Sequence, residues 1–388
     1  MITKIGRGAE NEQTELHAGM DFRDIRYRRE VFLRFYEFHL KYNSHPGGVY
    51  FAMPWLAKKY DMTMEDKLWI AFINGCSQNI VTTWLIWKEF PTVKDLDLEK
   101  LNAWWNENHT KFKAGSGWDS DRKYFKIGKT GFPQCVESYK NCVDKFGTQE
   151  KMFTSLYKGD KYENFSAIWD FVRGNFLSFG RLSTFSYLEY LRIQGLDLDC
   201  NSLFLDDISG SKSHRNGLCK VLGRDDLDWY DVKESHNPDF EGYSKEVLAW
   251  LKEEGELLLQ EAKERLPDCK DVSYFTLEST LCCYKSWYRP NRRYPNVYMD
   301  MMYNRIKYAE SEWGDIFDIF WDMRKECLPK HLRLEDNPSD PGLSKEKQNY
   351  FRLTGSPVMM SKEFKCFTND FDKSCWKKDV GLGALFDA

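Results

Sequence analysis

The sequence predicts a mainly α-helical fold with little or no β-sheet. Three observations carry this: apolar residues recur at spacings of three and four, strand-like alternation is rare, and turn or cap residues fall where the helical periodicity starts and stops. The chain is 42% apolar and 16% aromatic, enough to bury a large core and unlike a disordered or collagen-like chain. No internal repeat or low-complexity tract is visible.

The elements follow in order. Residues 22–42 carry Phe32, Phe35, Tyr36 and Leu40 as a helical stripe, ended by the turn signals of 43–48. Residues 64–90 form a second helix-compatible stretch with the polar insertion Asn74, Gly75, Cys76, Ser77, Gln78, Asn79. Phe165, Ile168, Trp169, Val172 and Phe176 have helical spacing, followed by a break at 178–180 and a new helix over 181–193. Val247, Leu251, Leu258, Ala262 and Leu266 make a long stripe that Ser244 could cap and Pro267 stops. Leu277, Leu281, Tyr284 and Tyr288 form a further stripe assigned to the core. The softest segments are 111–132, 201–241 and the polar tail after Pro338. A length of 388 residues permits two or three domains or one large helical one. The expected organisation is an N-terminal extension over 1–24, a helical catalytic domain over 25–310 with a weak sub-boundary near 150, and a C-terminal helix and polar tail over 311–388.

Composition excludes several classes. With 60 acidic and 56 basic side chains the net charge is −4, so charge alone recruits no polyanion. The longest apolar runs, 51–57 and 80–87, fall far short of the ~20 residues that cross a bilayer. The first eleven residues are polar and show no secretory signal. Eleven cysteines without a C-x-x-C pair read as free thiols in a reducing cytosol. Their spacing and the dispersal of seven histidines argue against a zinc site, and no metal ligand set is predicted.

Two segments could carry chemistry. Ser209, Gly210, Ser211, Lys212, Arg215 and Gly217, with Lys220 and Arg224 beyond, read as an anion-friendly loop. Small residues let backbone N–H groups converge, and Lys212 and Arg215 add charge suited to phosphate or pyrophosphate. It is not a Walker A loop, because the glycine separation is wrong and Leu218 follows the second glycine. A solvated basic turn is the equal alternative. In the second segment, Glu278, Lys285 and Arg289 fall within roughly 40° of each other on a helix advancing ~100° per residue. Arg289, Arg292 and Arg293 with Tyr294 then give a composition that grips phosphates and stacks bases. A solvated face is again the alternative. Asp206, Asp207, Asp225, Asp226, Asp228 and Asp300 could hold magnesium beside a phosphorylated substrate, although loop aspartates more commonly cap turns.

The motifs taken in order are Asn74–Gly75–Cys76 with Gln78, Asn79 and Thr82; Phe179–Gly180–Arg181; Ser209–Gly210 through Gly217–Leu218; Glu278, Leu281, Cys282, Tyr284 and Lys285; and Arg293, Tyr294, Tyr298 and Asp300. This collinear set, over about residues 25–310, resembles the bacteriophage amino acid:DNA transferases, also described as the α-glutamyl/putrescinyl-thymine pyrophosphorylase group.

The resemblance implies a helical fold related to helix-hairpin-helix DNA glycosylases, although no hairpin glycine signature of the Leu-Pro-Gly-Ile-Gly kind is visible. The implied substrate is DNA carrying 5-pyrophosphomethyl-uracil, and an amino acid or polyamine amine displaces pyrophosphate in the host-cell cytoplasm. Glu278 is then the expected base or amine anchor, with Lys285 and Arg289 beside it at the reacting centre. Ser209, Gly210, Ser211, Lys212, Arg215, Gly217 and Arg181 are expected at the pyrophosphate. Asn74, Gln78, Asn79, Tyr284 and Asp300 are expected to recognise base or amine, with helix-end hydrogen bonding an equal role for the first three. Lys220, Arg292 and Arg293 are expected at the DNA backbone. The competing readings are a glycosylase-like excision protein, a helical partner of a hydroxymethyluracil DNA kinase, and a DNA-binding module without turnover. No P-loop is present to make this chain the kinase itself.

Overall fold

The computed structural model describes residues 25–43, 45, 48–112, 129, 131–208, 212–228, 242–285 and 301–328. Among them all regular structure is helical, with no strand. The first α-helices are α1 (Ile25–Tyr42), α2 (Val49–Lys59), α3 (Met64–Ser77), α4 (Ile80–Glu89), α5 (Leu98–Asn108), α6 (Phe132–Phe146) and α7 (Gln149–Thr154). They are followed by α8 (Lys161–Asn175), α9 (Arg181–Ile193), α10 (Lys212–Val221), α11 (Lys245–Arg265), α12 (Tyr274–Tyr284), α13 (Met301–Trp313) and α14 (Asp318–Cys327). None of the described helices is long and apolar enough to cross a membrane. The described residues divide into two compact units: those within 25–46 and 202–301, with 328, form one, and those within 47–201 and 302–327 form the other.

Local chemistry fixes the helix ends. Ser244 accepts from the Val247 N–H at 3.2 Å and starts α11, which ends at Arg265, just before Pro267. The stretch over 64–90 is broken where Gln78 takes a left-handed φ of 51° and Asn79 caps α4 through the Val81 N–H. Ser178, at φ 66°, makes the turn between α8 and α9.

In the second unit the core is aromatic. Phe72 stacks on Tyr139 with centroids 3.9 Å apart, and Trp69, Phe176, Phe179 and Tyr187 surround them. Gly75 lets α3 approach α9, since a Cβ there would lie 3.2 Å from the Tyr187 ring. Glu65 caps α7 by accepting from the Gln149 and Glu150 N–H groups at 3.0 and 2.9 Å.

The first unit is built on α1, α10, α11 and α12. The Tyr36 hydroxyl bonds Thr276 Oγ1 at 2.6 Å, and the Tyr284 hydroxyl donates to the Arg28 carbonyl at 3.1 Å, tying α1 to α12. Helices α10 and α12 meet backbone to backbone: a Cβ on Gly217 would lie 2.1 Å from the Leu281 carbonyl oxygen. Only glycine fits that contact.

Gly217→Ala is therefore expected to destabilise the protein by about 1–3 kcal/mol or more through overpacking. Gly174→Ala, at an exposed position of α8 with nothing within 4 Å of the new methyl, should stabilise it by ~0.5–1 kcal/mol. Thermal denaturation of both full-length variants reads the two signs, and equal shifts would mean that Gly217 does not set the α10–α12 spacing.

Candidate active site

The α10–α12 contact brings polar groups of the two helices together inside the first unit. The segment expected as an anion loop is helical from Lys212 onward, so beyond the first turn its N–H groups bond within α10. Ser209, Gly210 and Ser211 lie outside the described residues. His214 points into the core, 1% exposed. Its Nε2 lies 2.7 Å from the Leu203 carbonyl oxygen, which can only accept, so Nε2 carries a hydrogen and donates it. Its Nδ1 lies 2.9 Å from Glu278 Oε1 on α12. Lys285, the C-cap of α12, donates to the Ser213 hydroxyl on α10. Lys212 is half-buried at the start of α10.

Arg215 is buried and donates from Nε to the Leu205 carbonyl at 3.0 Å and from Nη2 to the Asp207 carbonyl at 2.7 Å. Its guanidinium also lies over the Tyr243 ring, 4.9 Å from the centroid. It thereby ties the 203–208 segment to α10. Lys220, its side chain 11% exposed, reaches Asp225 Oδ1 at 2.8 Å and Asp228 Oδ2 at 3.0 Å. Arg28 from α1 grips the same Asp225 carboxylate through two nitrogens, at 2.7 and 3.1 Å. Burial alone would raise the Asp225 carboxyl, but Arg28 and Lys220 outweigh it and bring it down to about 2. The Cys219 thiol is pushed up to about 12 by burial, with the Asp228 charge adding to it.

The second unit holds the other expected recognition residues. Asn74 is buried, its Oδ1 accepting from the Thr83 hydroxyl at 3.0 Å and its carbonyl from the Gln78 N–H at 2.7 Å. The Gln78 carbonyl accepts from Arg305 Nη2 at 3.0 Å, and Asn79 is the cap of α4. Arg181 is buried in the first turn of α9 with its guanidinium over Phe185.

The structure thus brings Lys212, Arg215, Gly217, Lys220, Glu278, Tyr284 and Lys285 into one unit, and puts Asn74, Gln78, Asn79 and Arg181 in the other. Tyr284 is fully buried in the α1–α12 core. Arg289, Arg292, Arg293 and Asp300 lie outside the described residues. Sequence reasoning missed His214 as the partner of Glu278, although His214, Leu218 and Val221 at helical spacing were a signal for a buried face. Among the described residues no group of three or more His, Cys, Asp or Glu is arranged to hold a metal ion.

The Asp225 cluster has a pH signature. Because its folded value lies below the ordinary carboxylate value of 3.8, it adds stability above 3.8 that is lost as pH falls through about 2. Asp225→Asn should therefore lower the melting temperature at pH 7, and the gap from the parent protein should narrow as melts are taken toward pH 2. The carboxylate is 48% exposed, so high salt should shrink the gap at pH 7 as well. A gap independent of pH would mean that the charge of Asp225 contributes nothing.

A model of the amino acid:DNA transferase family matches residues 51–293. The chain is 28% identical over 315 residues to a protein of Salmonella phage ViI named serinyltransferase, a match covering 76% of this chain and 72% of that one. No solved structure matches.

Proposed function

The chain belongs to the amino acid:DNA transferase family and is a transferase of DNA modification, and from that premise we propose which reaction it performs and with which residues. The reaction is transfer of an amino acid or polyamine amine onto the 5-methylene carbon of 5-pyrophosphomethyl-uracil in DNA, with release of pyrophosphate. The name of the phage relative makes serine the first amine to test.

The observation that carries this reading is the juxtaposition of an acid–base group with cations at one helix pair. Glu278 on α12 is held against His214 of α10, with Lys285 bonded to Ser213 at the same pair. An incoming amine must be neutral to attack, and Glu278 takes its proton. The nitrogen forms its bond to the methylene carbon as the carbon–oxygen bond breaks, and pyrophosphate leaves with the electron pair. Lys212 and Lys285, with Arg289, meet the charge that develops on it. Arg215, also proposed at the pyrophosphate, is fixed by its bonds to the Leu205 and Asp207 carbonyls.

The reacting base must leave the stack to reach such a site, which fits a helical scaffold related to the helix-hairpin-helix glycosylases, with catalysis carried by residues 25–310. Arg292 and Arg293 are the proposed backbone contacts. Lys220 is a weaker candidate, because its ammonium is held by Asp225 and Asp228. Asn74, Gln78 and Asn79 keep their proposed part in recognition of the base or amine, and Arg181 its proposed part at the pyrophosphate.

The test is nucleoside analysis. The protein is incubated with pyrophosphomethyl-uracil DNA and serine, then with other amino acids and polyamines, and the digested DNA should contain a new aminomethyl-linked nucleoside. Abasic sites would instead indicate excision, and unaltered DNA that is nonetheless retained would indicate a binder. Glu278→Gln can still pair with His214, by donating its amide hydrogen to Nδ1, but it cannot accept the amine proton. Product formation should fall by roughly 10²–10⁴ with the melting temperature preserved. Full activity in that variant would remove Glu278 as the base.

A further inference from the structure

We propose that His214 is the positioning residue of this site: it holds Glu278 by Oε1 through one shared proton, so that Oε2 is the oxygen that takes the proton from the amine. The inference rests on the transferase reading of the site. It starts from the Leu203 carbonyl, which fixes one hydrogen on Nε2. With that hydrogen assigned, the 2.9 Å separation between Nδ1 and Oε1 requires one proton between them. Either an imidazolium donates to a carboxylate, or a carboxyl donates to the neutral ring. Without a proton there, a nitrogen lone pair would face a bare carboxylate oxygen in a place where His214 is 1% exposed and solvent cannot screen the repulsion.

Both arrangements use the same oxygen. Oε1 is held on the ring, the ring is held on the Leu203 carbonyl, and Gly217 brings α10 close enough to α12 for the bond to form. A glutamate side chain has three rotatable bonds, and fixing one carboxylate oxygen removes most of that freedom before substrate arrives. In the transfer step a nitrogen–hydrogen bond of the amine breaks and an oxygen–hydrogen bond forms at Oε2, while the proton between Nδ1 and Oε1 ends on Nδ1, moving there from Oε1 if the carboxyl carried it. The pair gains one positive charge as pyrophosphate departs with its negative charge, so the opposite charges grow together.

Two substitutions separate positioning from mere packing. An asparagine amide at 214 reaches the place of Nδ1 and can donate to Glu278 Oε1, losing the bond to Leu203. A glutamine amide reaches the place of Nε2 and can donate to Leu203, losing Glu278. We expect His214→Asn to keep kcat within about tenfold of the parent and His214→Gln to lose roughly 10- to 100-fold, with KM for modified DNA unchanged in both. A purely structural histidine predicts melting temperatures that fall with kcat untouched, and that result overturns the proposal. So does a kcat for His214→Gln equal to or above that of His214→Asn.

Nitrogen-15 NMR of the substrate-free parent protein gives a readout independent of turnover. Seven histidines keep the spectrum tractable, and His214→Asn assigns the resonance by deleting it. A hydrogen on Nε2 and a proton shared at Nδ1 are expected, and a bare Nε2 overturns the inference. If the parent forms no new nucleoside, the transferase reading fails, and the His214–Glu278 pairing is still decided by the nitrogen shifts.

Discussion

The candidate site depends on one steric fact, the approach of Gly217 to the Leu281 carbonyl. With no side chain between them, α10 and α12 lie close enough for short polar groups to meet across the gap. His214 then reaches Glu278, and Ser213 reaches Lys285, with the shorter side chain of each pair supplied by α10. A buried donor or acceptor left unmet costs about 1–3 kcal/mol, so close packing obliges these groups to satisfy one another. The Leu203 carbonyl completes the chain of partners on the far side of the ring.

The charges of the same unit divide by burial. Arg28, Lys220, Asp225 and Asp228 balance two against two and join α1 to the far end of α10. Such a cluster adds little net stability, because desolvation offsets most of the attraction, but it strongly penalises a wrong pairing. Arg28 and Lys220 are thereby committed to the fold. Fewer basic side chains of the segment are therefore left for the phosphate contacts proposed above than its composition suggests.

Helices with strong periodicity and clear caps were legible in the sequence: α1, α9 and α11 lie where stripe, cap and stop residues put them. The Glu278–Lys285 face was legible too, because spacing within one helix fixes which residues share a side. What spacing cannot show is which side is buried, and Arg215 and Lys220 illustrate this. Arg215 was expected at the pyrophosphate and Lys220 at the DNA backbone, yet the first is bonded to two carbonyls and the second to two carboxylates. The start of α10 was hidden for a related reason. Glycine, serine and asparagine are weak helix formers, and here burial against α12 overrides that preference. The partnership of His214 with Glu278 joins residues 64 positions apart, and no local pattern encodes it.

Burial of the His214–Glu278 pair also bears on how such a site manages charge. An isolated carboxylate in that place would be costly to desolvate, and so would an isolated imidazolium. Sharing one proton makes the pair neutral as a whole, which lowers the cost of burying it. Acceptance of a second proton would then place a net positive charge in the same buried region, which is unfavourable unless negative charge develops beside it. Pyrophosphate departure supplies that charge in the proposed reaction, and Lys212 and Lys285 spread it. On this account proton uptake and leaving-group departure favour each other, since either alone would strand a charge that the interior does not solvate.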